Sequence, residues 1–145
     1  MEMVSKNLQE TADFAVNFLE QLAGSDRSGA TVVALYGDLG SGKTTFTQFL
    51  AKELEVANYV TSPTFVIEKR YETKNDKYKT LIHIDCYRLT KPEEMENLGW
   101  KDIIADSGNL IVVEWPERIE DILPDDSVRI EFEFVDENTR FIKLK

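Results

Sequence analysis

Between residues 8 and 22 the apolar positions Leu8, Ala12, Ala15, Phe18, Leu19 and Leu22 recur at helical spacing, ahead of a polar loop at 24–29. This predicts an amphipathic first helix. Residues 31–36 form a continuous β-rich run ending at a glycine, the pattern of a strand buried on both faces. After the glycine-rich segment that follows, residues 44–54, with Phe46, Phe49, Leu50 and Leu54, predict a second helix.

Residues 65–71 and 78–85 read as strands joined by the polar segment 72–77. Pro92-Glu93-Glu94 has the proline and acids of a helix start, with Gly99 as its stop. Residues 110–113 make another short buried strand, ending at Glu114, and a short helix at 116–122 is closed by Pro124. Two alternating runs, 128–135 and 140–144, flank Asp136-Glu137-Asn138 and predict an antiparallel hairpin. The sum is an α/β fold, a mixed and mainly parallel sheet flanked by helices. With no repeats or linkers, residues 1–145 are expected to form one domain.

Composition narrows the function. The chain has 145 residues, 42% of them hydrophobic, enough to enclose one core. Its 27 acidic and 17 basic side chains give a formal charge of −10, so its average surface repels phosphate backbones, and strong nucleic-acid binding by this chain alone is not expected. No run approaches the roughly 18 apolar residues of a membrane span, and the start lacks the basic-then-apolar order of a signal peptide. A cytoplasmic location is expected. Cys86 is the sole cysteine, which excludes an intrachain disulfide and a cysteine zinc cluster and suits a buried small residue.

Gly37-Asp38-Leu39-Gly40-Ser41-Gly42-Lys43-Thr44 matches the P-loop pattern with an added glycine at 40, and it lies between a predicted strand and a predicted helix. The glycines let successive N–H groups point at phosphate oxygens, and the helix N-terminus adds its partial positive charge. Lys43 is expected to reach the β- and γ-phosphates, and Thr44 to offer a hydroxyl to Mg²⁺. The nucleotide-binding set is therefore Asp38, Leu39, Gly40, Ser41, Gly42, Lys43, Thr44 and Thr45.

Such a site needs a carboxylate at the end of a neighbouring strand, and two strands end in one, at Asp85 and at Glu114. One can hold the metal while the other orients or deprotonates water, and the sequence leaves open which does which. His83 shares a strand face with Asp85 and can position it, sense the γ-phosphate or simply fill the core. Arg88 can stabilise transition-state charge or form an ion pair. Thr61-Ser62-Pro63-Thr64-Phe65 falls where P-loop proteins often place a loop responsive to the γ-phosphate. Trp115 is open between core, interface and site roles.

Taken together these segments resemble the TsaE family, formerly YjeE, small bacterial ATPases of tRNA threonylcarbamoyladenosine synthesis. The resemblance is carried by Glu10-Thr11, by the P-loop through Phe46, by Ser62-Pro63-Thr64-Phe65, by His83-Ile84-Asp85-Cys86-Tyr87-Arg88 and by Glu114-Trp115-Pro116-Glu117. It implies a P-loop fold, and slow or partner-dependent ATP hydrolysis with Mg²⁺ coupled to TsaB and TsaD, with tRNA met only through that complex. It also places Thr11 near the adenine, makes Thr44 and Glu114 metal ligands, and has Asp85 act on the metal or the water, with Lys43, Asp85 and Glu114 as the catalytic group. Ser41 stands where alanine is more usual. A small-molecule P-loop kinase is the alternative, though no arginine-rich lid is evident, and the Asn-Lys-x-Asp motif of a regulatory GTPase is missing.

Overall fold

The computed structural model describes residues 2–38, 40–58, 60 and 67–144. In chain order these form β1 (Glu2–Ser5), α1 (Leu8–Ala23), β2 (Thr31–Tyr36), α2 (Lys43–Glu53), β3 (Glu68–Glu72) and β4 (Thr80–Asp85). They continue with α3 (Glu93–Glu96), α4 (Trp100–Ala105), β5 (Asn109–Glu114), a 3₁₀ segment (Pro116–Ile122), β6 (Val128–Phe134) and β7 (Arg140–Leu144). The strands make one sheet in the order β1-β7-β6-β2-β5-β4-β3. Its four central strands, β6, β2, β5 and β4, are parallel, and β1, β7 and β3 are added antiparallel at the edges. This is the expected mixed sheet, with its parallel part at the centre and the expected C-terminal hairpin as β6–β7.

Strict alternation along the central strands splits the core into two layers. Val33, Leu35, Leu81, Leu110 and Val112 face α1 and α2, where Phe14, Phe18, Phe46, Leu50 and Leu54 cover them. Val32, Ala34, Ile82, Ile84, Ile111 and Val113 face the other way, against Met95, Trp100, Ile103 and Ile119. Cys86 is in that second layer; burial, and then the charges of Asp85 and Glu117, push its thiol up to about 12. No helix among the described residues is long and apolar enough to cross a membrane.

The first helix starts where Asn7, in extended conformation, accepts a hydrogen bond from Glu10 N at 2.9 Å. Its inward face is Thr11, Phe14, Ala15, Phe18, Leu19 and Leu22, whereas Leu8, expected in that stripe, is 68% exposed. A cap residue one position upstream leaves Leu8 on the first, outward-turned step of the helix.

Two other expectations change. The helix expected from 92 to 99 is a single turn, α3, and a second helix, α4, begins directly after it. Gly99 adopts φ 88°, turning the chain so that its carbonyl accepts from Asp102 N and Ile103 N and starts α4. The spacing of Trp100, Ile103 and Ile104 carried this helix, and reading Gly99 only as a stop concealed it. Strand β1 was not expected at all, because four residues are too few for a period; its pairing with β7, Met3 opposite Ile142, is what defines it. The strand expected at 65–71 is observed as β3, shifted toward the C-terminus, and the segment 61–65 lies outside the described residues.

Candidate nucleotide and catalytic site

Chain order and register bring the site together. Strand β2 delivers Gly37 at its end, and α2 begins at Lys43 after Gly40 and Gly42 pass through φ 79° and 106°. Both angles lie in the left-handed region, which is open to glycine. Strands β4 and β5 run parallel beside β2, with Asp85 opposite Glu114 and Leu35 also opposite Glu114. His83 and Asp85 continue the face of Leu81, and Glu114 that of Leu110 and Val112, so all three look toward the helix that the loop starts.

Glu114 is the hub. Thr44 Oγ1 lies 3.4 Å from its Oε1 and 3.5 Å from its Oε2, and His83 Nε2 lies 2.5 Å from Oε2. The histidine is completely buried, and its hydrogen bond goes to Glu114 on the adjacent strand, not to Asp85 on its own. Asp85 is instead oriented by Tyr87 N, which donates to its Oδ1 at 2.9 Å. Burial holds the Asp85 carboxyl above its ordinary range; the Tyr87 N–H opposes this and the charge of Glu114 adds to it.

Lys43 is also buried, and burial lowers its ammonium below the usual lysine value against the pull of Glu114, Glu117, Asp85 and Asp38. It donates to Gly37 O and sits 4.5 Å from the centre of the Trp115 ring. Trp115 reaches this place through a left-handed backbone, φ 56° and ψ 49°, costly for a bulky residue, and its other neighbour is the Tyr87 ring at 5.2 Å. The expectation left Trp115 open; it belongs to the site.

Two cavities flank the loop. One, of about 530 Å³, is lined by Gly40, Gly42, Lys43, Thr44 and Thr45 with Asp85, Glu114, Trp115, Tyr87 and Arg140. The other, of about 430 Å³, lies between the start of α1 (Asn7, Leu8, Gln9, Thr11) and the β6–β7 hairpin (Phe132, Glu137, Asn138, Arg140, Ile142), again touching Gly42 and Thr45. Thr11 is buried here with its hydroxyl 2.6 Å from that of Ser5. Asp38 is exposed, Ser41 is buried with no hydrogen-bond partner for its hydroxyl among the described residues, and Leu39 lies outside them. Arg88 is exposed. Among the described residues no group of three or more His, Cys, Asp and Glu stands ready to hold a metal ion alone.

A profile of the family described as Threonylcarbamoyl adenosine biosynthesis protein TsaE matches residues 5–142. The chain belongs to the TsaE family. It is 35% identical over 144 residues to the tRNA threonylcarbamoyladenosine biosynthesis protein TsaE of Rickettsia felis, an alignment spanning 98% of this chain and 78% of that protein. With the protein of the same name from Aquifex aeolicus it shares 36% identity over 146 residues, across 99% and 98% of the two chains. The crystal structure of Bacillus subtilus YdiB superposes with a TM-score of 0.72 at 30% identity, covering 99% of this chain and 83% of that one. Agreement over almost the whole chain means that the TsaE likeness includes the edge strands and the hairpin as well as the P-loop.

Sequence reasoning missed two features of this TsaE site. The readings left open for His83 did not include its bond to Glu114, because same-face spacing within one strand says nothing about the register of the next. Arg140, on a strand that the pattern did predict, carried no motif to connect it with a loop almost a hundred residues earlier.

Proposed function

We propose that this chain binds Mg²⁺-ATP in the P-loop, hydrolyses it slowly or when partnered, and thereby supports formation of threonylcarbamoyladenosine beside the anticodon of tRNA together with TsaB and TsaD homologues. Family membership supports the pathway, and the convergence of Thr44, Glu114 and Asp85 beside the loop is the observation that carries the chemistry. The tRNA would be held by the partners, in keeping with a net charge of −10. On this reading residues 1–145 work as one P-loop ATPase domain, which the single sheet supports.

The donor set fits magnesium: a threonine hydroxyl and carboxylate oxygens are hard ligands, too few to make a cage, as expected for an ion that keeps waters and phosphate oxygens. Thr44 and Glu114 would hold it, with Asp85 alongside, and when bound it would neutralise charge developing on the β- and γ-oxygens. The chain's own groups do the rest. Backbone N–H groups from Gly40 to Thr45 bind phosphate, and Lys43 supplies a mobile cation. Asp85, with a raised carboxyl pKa, orients the attacking water and accepts its proton. His83 keeps Glu114 aimed at Thr44, and Trp115 with Tyr87 screens Lys43 from solvent.

The test is ATP hydrolysis by the purified chain with and without TsaB–TsaD, assaying inorganic phosphate and any phosphorylated acceptor. Phosphate release that rises with the partners supports the proposal. A phosphorylated small molecule would replace it with a kinase, and no nucleotide turnover in any mixture would overturn it.

A further inference from the structure

The backbone of Trp115 lies in a region that bulky side chains rarely adopt, and such a conformation persists only where its surroundings over-determine it. The 3₁₀ segment that follows supplies those surroundings. Arg118 N donates to Trp115 O at 3.2 Å and closes its first turn. Ile119 packs into the second core layer, and Ile122 O accepts from Trp100 Nε1 at 3.0 Å, so the segment is held from its inner side. Its polar tie to the strands that flank the P-loop is Glu120.

Glu120 Oε2 accepts from the Tyr36 hydroxyl at 2.8 Å, and its Oε1 pairs with Arg129 Nη1 at 2.9 Å. The same arginine nitrogen donates to the Tyr36 oxygen at 2.7 Å. The three side chains thus close a ring that uses both oxygens of the acid. Burial, and then the hydrogen bond and charge of Glu120, push the Tyr36 hydroxyl up to about 12, so at neutral pH it keeps its proton and donates. Tyr36 is the last residue of β2, directly before Gly37, and Arg129 stands on β6 opposite Ala34. Lys43 rests between the two stretches of chain that the ring joins: it donates to Gly37 O, just past Tyr36, and lies 4.5 Å from the Trp115 ring, upstream of Glu120.

The side chains of Arg129 and Glu120 are 31% and 47% exposed, and an ion pair so open to water adds little to global stability. Its effect is local, on the distance between Trp115 and the start of the loop. We propose that Tyr36, Glu120 and Arg129 are positioning residues for the nucleotide reaction, seating Trp115 against Lys43 by tying the 3₁₀ segment to β2 and β6. Their effect on turnover rests on the ATPase reading above, whereas the seating of Trp115 is a property of the chain without nucleotide.

Fluorotryptophan labelling of the full chain gives one fluorine NMR resonance for each of its two tryptophans, assigned with Trp100→Phe. Tyr36→Phe and Glu120→Ala are compared with the unaltered chain. In both, without nucleotide, the Trp115 resonance should move while that of buried Trp100 stays, and the melting temperature should hold within about 2 °C. Phosphate release at saturating ATP with the partners present should fall about 3- to 30-fold, with ADP affinity kept within about twofold. Glu120→Gln, which can still accept from the Tyr36 hydroxyl, should recover part of both effects. An unmoved Trp115 resonance in either variant overturns the proposal, and so does a moved resonance with turnover unchanged. A rate loss matched by weaker ADP binding and a lower melting temperature also overturns it, since the ring would then be a brace for the fold. No turnover by the unaltered chain in any mixture would sink the ATPase reading and the effect on rate with it, while the resonance would still decide whether the ring seats Trp115.

Discussion

His83 Nε2 lies 2.5 Å from Glu114 Oε2 across the β4–β5 boundary, and both side chains are buried. As an Nε2–H donor the ring fixes one oxygen of the acid and leaves the other to Thr44 Oγ1. His83→Ala should reduce phosphate release about 10- to 100-fold and raise the Mg²⁺ concentration needed, while ADP affinity stays within about threefold. His83→Gln, which can still donate, should recover part of the rate. Equal loss of ADP binding and of turnover would mean that His83 merely holds the core together.

For Asp85 the direction of the pKa shift predicts a trade between stability and turnover. The folded state binds this proton more tightly than the unfolded chain does, because burial penalises the charge. Its ionisation therefore costs stability at neutral pH. That cost is absent below the unfolded-state value and grows as pH rises through the folded one. Asp85→Asn keeps an acceptor for Tyr87 N and removes the charge. It should stabilise the chain by about 0.5–2 kcal/mol at pH 7.5, lose that advantage near pH 4, and abolish hydrolysis. Denaturant melts at the two pH values, with a phosphate assay, check all three outcomes.

Lys43 rests against Trp115 and donates to Gly37 O, so drawing it toward phosphate must change the surroundings of the indole. In a Trp100→Phe background, where Trp115 is the remaining one of the two tryptophans, emission should shift saturably with Mg²⁺-ATP. Lys43→Ala should weaken ATP binding about tenfold or more and remove most of the optical response. A full response in a folded Lys43→Ala chain would show that the indole reports something else.

Two glycine substitutions should behave oppositely. Gly37 has φ 143°, and a Cβ there would stand 2.5 Å from Phe132 O and 2.7 Å from Ser41 Oγ. Gly37→Ala should cost about 1–3 kcal/mol and nucleotide binding with it. Gly24, at φ −82° with its nearest neighbour 3.6 Å from such a Cβ, should accept alanine within about 0.5 kcal/mol. Melting curves and ADP titrations of the two variants provide the comparison.

Much of this was legible in the chain. The P-loop could be read because its glycines, Lys43 and Thr44 are contiguous, and β2 and β5 because fully buried strands leave unbroken apolar runs. Asp85 and Glu114 could be read as a pair because each ends such a run. The His83–Glu114 contact could not, since it depends on the register between two strands, nor could β1, whose four residues gain meaning from pairing with β7. α4 was hidden by a local signal: Gly99 closes one helix and opens the next. Arg140 illustrates a general limit, because a side chain recruited by tertiary packing leaves no spacing in the sequence to find.

The contact between Gly37 and Phe132 O has a consequence for biosynthesis. The first glycine of the loop is seated against β6, and β2 takes β6 as one of its two neighbours, so the loop is shaped by residues almost a hundred positions further along the chain. At about 5–20 residues per second, the ninety or so residues from Thr44 to Phe134 take about 5–18 s to synthesise. Throughout that interval a ribosome-bound chain carries every letter of its P-loop motif but lacks the wall that shapes it. A chain interrupted ahead of Val128 therefore keeps an intact motif and lacks the strand against which its first glycine is seated.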